Sequence, residues 1–226
     1  MPRSTAAHSS RDFETELREL RASLLAMGAR CERVVGLSFE AFLDGNPELA
    51  RQVEEIDRRI DHDELDIHAL ILRILALRQP VAEDLRFLAT ALRLITDLER
   101  IGDEAVNIGE RVVQNDGQAK ALIQEELSTM AVAVRDMLHG ALDAFVQWDT
   151  AAAERVLASD DAVDRHCASI IGAMTSYISG RIDDVRAGLR VVRVAKFLER
   201  IADHATNVAE EVIFMVRGVD VRHTRF

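Results

Sequence analysis

The segment LERIGDEAVNIGERV at residues 98–112 returns as LERIADHATNVAEEV at 198–212, identical at 9 of 15 positions. Such a duplication constrains the fold more than any single motif, because each copy must be one structural unit and the two units must pack as a pair. The repeat runs well beyond this segment. Leu20, Leu24, Met27, Cys31, Val34, Ser38 and Ala41 reappear 103 residues later as Ile123, Leu127, Met130, Val134, Met137, Ala141 and Ala144. Phe42, Val53 and Ile60 map onto Phe145, Val156 and Val163 at the same offset. In the last third the offset falls to 100, which predicts a turn at Ser179-Gly180 three residues shorter than its counterpart.

Within each copy the period is helical. From Leu17 to Ala41 the seam residues fall at alternating intervals of 3 and 4, the spacing that lines one face of an α-helix. Strand signals are scarce, with one Trp, one Tyr and three Pro in 226 residues. The first helix should stop at Asp44-Gly45-Asn46-Pro47, a cluster of turn formers. The second should run from about Glu48 to Arg78 and halt at Gln79-Pro80, since proline cannot continue a helix. The third should run from about Ala82 to Gln114 and end at Asn115-Asp116-Gly117. Three long helices joined by short turns make an antiparallel bundle. The chain therefore reads as all-α, six long helices in two tandem, pseudo-symmetric three-helix bundles. The first spans residues 12–116 and the second 119–218, with the boundary near Asp116 to Ala119. The tail from Gly218 to Phe226 is expected to lack structure.

Composition narrows the function. Lys and Arg number 28 against 39 Asp and Glu, a formal charge of −11. That sign is wrong for neutralising nucleic-acid phosphates and suits a collector of cations or a partner for a basic surface. Two cysteines without a CxxC exclude a disulfide scaffold and a thiolate zinc finger. The longest stretch without a charged residue, His166 to Gly180, is 15 residues, short of a membrane span. With no apolar core in the N-terminal MPRSTAAHSSRDFE, a cytoplasmic location is expected.

The candidate chemistry lies in repeated acidic stripes. Glu99, Asp103, Asn107 and Glu110 share one helix face, and the second copy repeats them as Glu199, Asp203, Asn207 and Glu210. Asp57, Asp61, Glu64 and His68 form a stripe on the preceding helix. Its copy keeps Asp160 and Asp164 but carries Cys167 for Glu64 and Ile171 for His68. With 39 acids in the chain, chance alone supplies several acid-x-x-x-acid pairs, and a solvated helix face explains any one of them. Recurrence at matched positions on two helices of both copies is a different matter. Each like-charged i, i+4 pair destabilises a bare helix by ~0.2–0.5 kcal/mol, so retaining four of them calls for a counter-charge. Carboxylate and amide oxygens favour hard or borderline ions such as Mg2+, Mn2+ or iron, and several carboxylates on facing helices can bridge more than one. Metal binding should release protons and weaken at low pH.

A catalytic role is the weaker expectation. Dimetal carboxylate enzymes built in helical bundles use Glu-x-x-His pairs, and none of the seven histidines has Glu three residues before it. No GxSxG, HExxH or Walker-type loop occurs. The alternative of a redox or hydrolytic dimetal enzyme would have to use the same stripes. Arg100 and Arg200, next to the motif glutamates, are expected to hold the carboxylates through salt bridges. Gly102 and Ala202 should let a facing helix approach. His204, beside Asp203, is either a further member of a site or, as is commoner, an exposed helix histidine, and Trp148, at a turn, reads as a packing residue.

The segments LRQPVAEDLRFL (77–88), DLERIGDEAVNIGE (97–110) and FLERIADHATNVAEEVIFMVRGVDVRH (197–223) resemble the PhoU family of bacterial phosphate-signalling accessory proteins, and the resemblance covers about Phe13 to His223. It implies two pseudo-symmetric three-helix bundles and multinuclear metal clusters, of iron, manganese, magnesium or zinc, on acid-x-x-x-Asp motifs. Carried over by position, the ligands are Asp57 and Asp61 with Glu99 and Asp103, and Asp160 and Asp164 with Glu199 and Asp203. Glu64, Asn107, Glu110, Asn207 and Glu210 are possible additions. The departure from the pattern is at Cys167 and Ile171, in the second site. The resemblance further implies a non-enzymatic adaptor that restrains phosphate uptake and silences the phosphate-starvation response. Its implied partners are the PstB-like ATPase subunit of the phosphate ABC transporter and a PhoR-like phosphate-sensing histidine kinase. It also implies a homodimer that meets the membrane only through those partners.

Overall fold

A computed structural model describes residues 5–112 and 117–221, with side chains over 11–112 and 119–221. Its helices are α1 (Thr5–Asp44), α2 (Pro47–Arg78), α3 (Ala82–Gly109), α4 (Gly117–Gln147), α5 (Thr150–Ile178) and α6 (Val185–Arg217), with one 3-10 turn at Ile182–Asp184. Helices α1–α3 pack on one another, and so do α4–α6; the halves meet where α3 lies on α6 and α1 on α4. The seam residues read from the sequence are the core. Leu20, Met27, Cys31, Val34, Ser38 and Ala41 are fully buried, as are Leu127, Met130, Val134, Ala141 and Ala144. One continuous apolar cluster runs through both halves. Among the described residues no helix is long and apolar enough to cross a membrane.

The turns repeat with different chemistry. Gly45 at φ 62° leads into Asn46, whose Oδ1 accepts from the Glu48 and Leu49 amides at 2.9 and 3.5 Å, and Pro47 opens α2. Capping oxygen and pre-set proline together fix that start. At the matching position Trp148 adopts φ 57°, and Asp149 Oδ1 accepts from the Ala151 and Ala152 amides at 2.9 and 3.1 Å. A left-handed tryptophan needs its ring to be held. Here it stacks on Phe87 at 6.1 Å, with the Arg21 guanidinium 5.9 Å from its face. Trp148 is thus a packing residue at a turn.

Two boundaries differ from expectation. Helix α3 ends at Gly109 rather than near Gln114, because the chain tightens into 3-10 geometry: the Arg111 amide donates to the Ile108 carbonyl and that of Val112 to the Gly109 carbonyl, each at 3.0 Å. Such tightening satisfies terminal carbonyls that an α-helix would leave open. The expected helix end and bundle boundary beyond it fall partly on residues 113–116, outside the described residues, as does the tail beyond Val221. The second difference is where the repeat lost three residues. Helix α2 has 32 residues and α5 has 29, so the loss came from the last turn of α5. The turn after it is longer, not shorter, running through Gly180 at φ 78° and the 3-10 segment.

Candidate metal centres

Each half brings its two acidic stripes together. On α2 and α3, Asp57, Asp61, Glu99 and Asp103 lie near enough to perturb one another, and Glu64 faces Glu99. Burial first, then the charges of Asp61, Asp103 and Glu99, raise the Asp57 carboxyl to about 6. Burial and Asp103 raise Glu99 as well, against the opposing pull of Arg100. Asp57 Oδ1 is buried without a hydrogen-bond partner. It tucks beneath α3 where a Cβ on Gly102 would lie only 2.5 Å away. Gly102 thus admits the facing helix, and it admits a carboxylate with it.

The second cluster follows the same plan on α5 and α6. Burial, then Asp164, Asp203, Asp161 and Glu199, raise Asp160 to about 6. Asp203 is raised by burial, Glu199 and Asp164. Cys167, in the place of Glu64, is buried at 1% exposure, and burial followed by the charge of Glu199 pushes its thiol up to about 11. Its sulfur is therefore held as a thiol beside the carboxylates.

The remaining stripe residues go elsewhere. Asn107 Nδ2 donates to Glu104 at 3.3 Å, and Glu110 sits past the end of α3 beside Arg111 at 3.4 Å. Asn207 Nδ2 donates to Asp97 of the other half at 2.9 Å, and Glu210 lines the groove between α3 and α6. His68 is exposed on α2, and Ile171 stands half-buried at its counterpart. Arg100 holds Glu99 and Asp103 at 3.4 and 3.1 Å, as its position suggests. Arg200 does not repeat that pattern and reaches Glu104 in the other half at 3.3 Å. His204 is not a free surface histidine, because its Nδ1 lies 2.9 Å from Asp97 Oδ1.

Periodicity does not single out Asp97, Glu104, Lys196 or Glu211, since it says which residues share a face and not which helix lies opposite. For Lys196 a signal existed in the repeat itself, where Thr96 stands in the first copy.

Among the described residues no three His, Cys, Asp or Glu side chains already converge on a point that could hold one ion. The donor set nevertheless fits hard cations. An orphaned buried carboxylate oxygen and mutually repelling acids on facing helices are the conditions a bound cation relieves.

The chain matches the PhoU domain model twice, over residues 24–112 and 127–212. This chain belongs to the PhoU family. It is 40% identical to the phosphate-specific transport system accessory protein PhoU homolog of Pseudomonas aeruginosa, over 96% of this chain and 90% of that one. The homolog of the same name from Pseudomonas putida is 38% identical over 96% of this chain and 85% of its own length. The crystal structure of PhoU from Pseudomonas aeruginosa superposes with a TM-score of 0.85 at 36% identity, covering 92% of this chain and all of that one. That of the phosphate transport system regulatory protein PhoU from Streptococcus pneumoniae gives 0.84 at 25% identity, with 92% and 99% covered. All eight cluster carboxylates lie within the two segments matched by the PhoU domain.

Proposed function

We propose that this PhoU-family chain is a non-catalytic, cytoplasmic, metal-bearing adaptor of a phosphate transport system that restrains phosphate uptake and starvation signalling. The relatives support the setting, since their names are those of accessory proteins of phosphate-specific transport. The observation that carries the metal reading is the matched pair of carboxylate clusters, with Asp57 and Asp160 both raised to about 6. Asp57, Asp61, Glu99 and Asp103 would hold ions on the first half, and Asp160, Asp164, Glu199 and Asp203 on the second; the ions are iron, manganese, magnesium or zinc. Glu64, within reach of Glu99, extends the first set. A bound cation supplies the positive charge that lets neighbouring carboxylates ionise together and ties α2 to α3, and α5 to α6.

The chain's own residues prepare that role. Long helices fix the carboxylates on rigid supports, and Arg100 restrains Glu99 and Asp103. The negative surface, −11 overall, suits steering toward basic patches on the transporter ATPase subunit and the phosphate-sensing histidine kinase. A second copy of the chain completes the proposed assembly as a homodimer. Regulation requires tighter binding to one signalling state of a partner than to another.

The test is genetic and biochemical together. In phosphate-replete cells, deletion of the gene should derepress a phosphate-starvation reporter, and wild type should restore silence. A variant with Asp61, Asp103, Asp164 and Asp203 all changed to Asn should fold, lose its metal and fail to restore it. Full silencing by that variant would sink the metal part. Copurifications that repeatedly lacked both transporter and kinase would sink the adaptor part.

A further inference from the structure

The two clusters sit on the same scaffold, so each position where they differ is a controlled comparison. Thr96 is exposed and gives its hydroxyl to the Leu92 carbonyl at 3.3 Å. Its counterpart Lys196 turns its ammonium onto Glu199, donating to Oε1 at 2.9 Å and to Oε2 at 2.5 Å. Arg100, by contrast, approaches Glu99 at Oε2, 3.4 Å, and divides its guanidinium between that carboxylate and Asp103, whose Oδ2 accepts at 3.1 Å. Glu64 gives way to the buried thiol of Cys167, which removes one negative charge. Gly102 gives way to Ala202, fully buried, whose Cβ fills the space under which Asp57 Oδ1 lies in the first half. In the first half that oxygen is buried and unpartnered. The first cluster therefore has five acids and an unsatisfied oxygen. The second has four acids, one of them with both oxygens already engaged by a compact cation.

We propose that Lys196 is a built-in competitor for the cation site of the second half. The first cluster then loads divalent cations tightly, and the second only when free cation is abundant enough to displace the ammonium from Glu199. This rests on the reading of the clusters as metal sites and divides them into a tight site and an exchangeable one. The physical ground is that an ammonium donating to both oxygens of Glu199 occupies lone-pair directions, and supplies the neutralising charge, that an entering divalent ion would otherwise take. Any ion entering must also work against the repulsion of a neighbouring positive charge. Lysine suits this use because its charge sits at the end of a flexible stem that can swing into water.

The experiment is equilibrium dialysis of chelator-stripped protein against Mn2+ alone over a range of free concentrations, with bound metal counted by mass spectrometry. The proteins are wild type, Lys196→Thr, Lys196→Arg, Asp57→Asn and Asp160→Asn, each checked for helix content. Wild type should show two classes of site, the tighter lost in D57N and the weaker lost in D160N. K196T, which installs the first copy's residue, should tighten the weaker class by about tenfold or more and leave the tighter class where it was. The unchanged tight class certifies that the variant is folded. K196R, which keeps the charge, should behave as wild type. Two classes of equal affinity in wild type, or a weaker class unmoved by K196T, would overturn the competitor role while the metal reading stood. No Mn2+ on any of the five proteins would overturn both.

Discussion

Asp57 shows how one side chain can be set against its own fold. Its ordinary carboxyl value is 3.8, and in the folded chain burial and three neighbouring acids raise it to about 6. Between those values the folded state binds the proton more strongly than the unfolded one, so stability falls as pH rises. The contribution is fully present below pH 3.8 and is lost as pH rises through about 6. Asp160 follows the same course. Metal-stripped protein should therefore melt at a lower temperature at pH 7 than at pH 5 in scanning calorimetry. Asp57→Asn removes one of these penalties. Because Asp57 is only half-buried, solvent screening reduces the gain at pH 7 to about 1 kcal/mol, a rise in Tm of ~2–4 °C. At pH 4 the variant and the wild type should coincide. A D57N protein that melts lower than wild type at pH 7 would contradict this account. With Mn2+ added, the wild type should regain stability at pH 7 and regain less below pH 6, where protons compete for the same oxygens.

At the scale of the helices, most of the plan is legible in the sequence, because apolar spacing and the duplication report the same thing twice. The seam of α1 and its copy in α4 are buried residue for residue. The structure adds the caps, Asn46 and Asp149, at matched positions before α2 and α5. Replacing either by Ala should cost about 1 kcal/mol in denaturant unfolding. The two losses should add in the double variant, since the caps share no bonding partner. Where α3 stops was not legible. Arg111 and Val112 could continue a helix; in the fold their amides close 3-10 bonds instead, and Arg111 lies 5.7 Å from the ring of Phe197 in the other half. The shortened end of α5 has its own consequence. Ile178 comes so close to Gly188 of α6 that a Cβ there would lie 2.5 Å from Ile178 Cγ2. In the first copy Leu88 stands at that position. Alanine at 188 gains up to ~1 kcal/mol of helix propensity but must push aside a stiff β-branched side chain, costing ~1–3 kcal/mol. Gly188→Ala should be net destabilising by about 1 kcal/mol, read as a lower denaturation midpoint. An equal or higher midpoint would show that the turn after α5 yields freely.

The whole molecule is two copies held by a seam that breaks their symmetry. Spacing revealed the carboxylate clusters because both copies carry them. It could not reveal which charges meet across α3 and α6, because those pairs differ between the two ends. At one end His204 and Asn207 converge on Asp97, at 2.9 Å each. At the other, Arg200 and Asn107 converge on Glu104, at 3.3 Å each. Position 211 carries Glu where position 111 carries Arg, so the repeat has reversed a charge inside its own interface. Glu211 is the more constrained of the two. Its side chain is 6% exposed, Oε1 accepts from Arg93 at 2.7 Å, and Oε2 is buried without a partner. Removing Arg93 would strand a buried carboxylate, which costs more than the pair itself contributes. Arg93 is 44% exposed, and its guanidinium also lies 5.5 Å from the ring of Phe214. Arg93→Ala should therefore destabilise by about 2–3 kcal/mol in urea unfolding. Glu211→Gln, which keeps the shape and removes the charge, should cost less than half as much. The double variant should recover most of the loss, because no charge is then stranded. The shape of the transition carries a second reading. With one core running through both halves, wild type should unfold in a single step, whereas R93A loosens α3 from α6 and should broaden the transition and lower its apparent m-value. Additive losses in the double variant would mean that Glu211 finds another partner when Arg93 is gone, and that this pair does not couple the two halves.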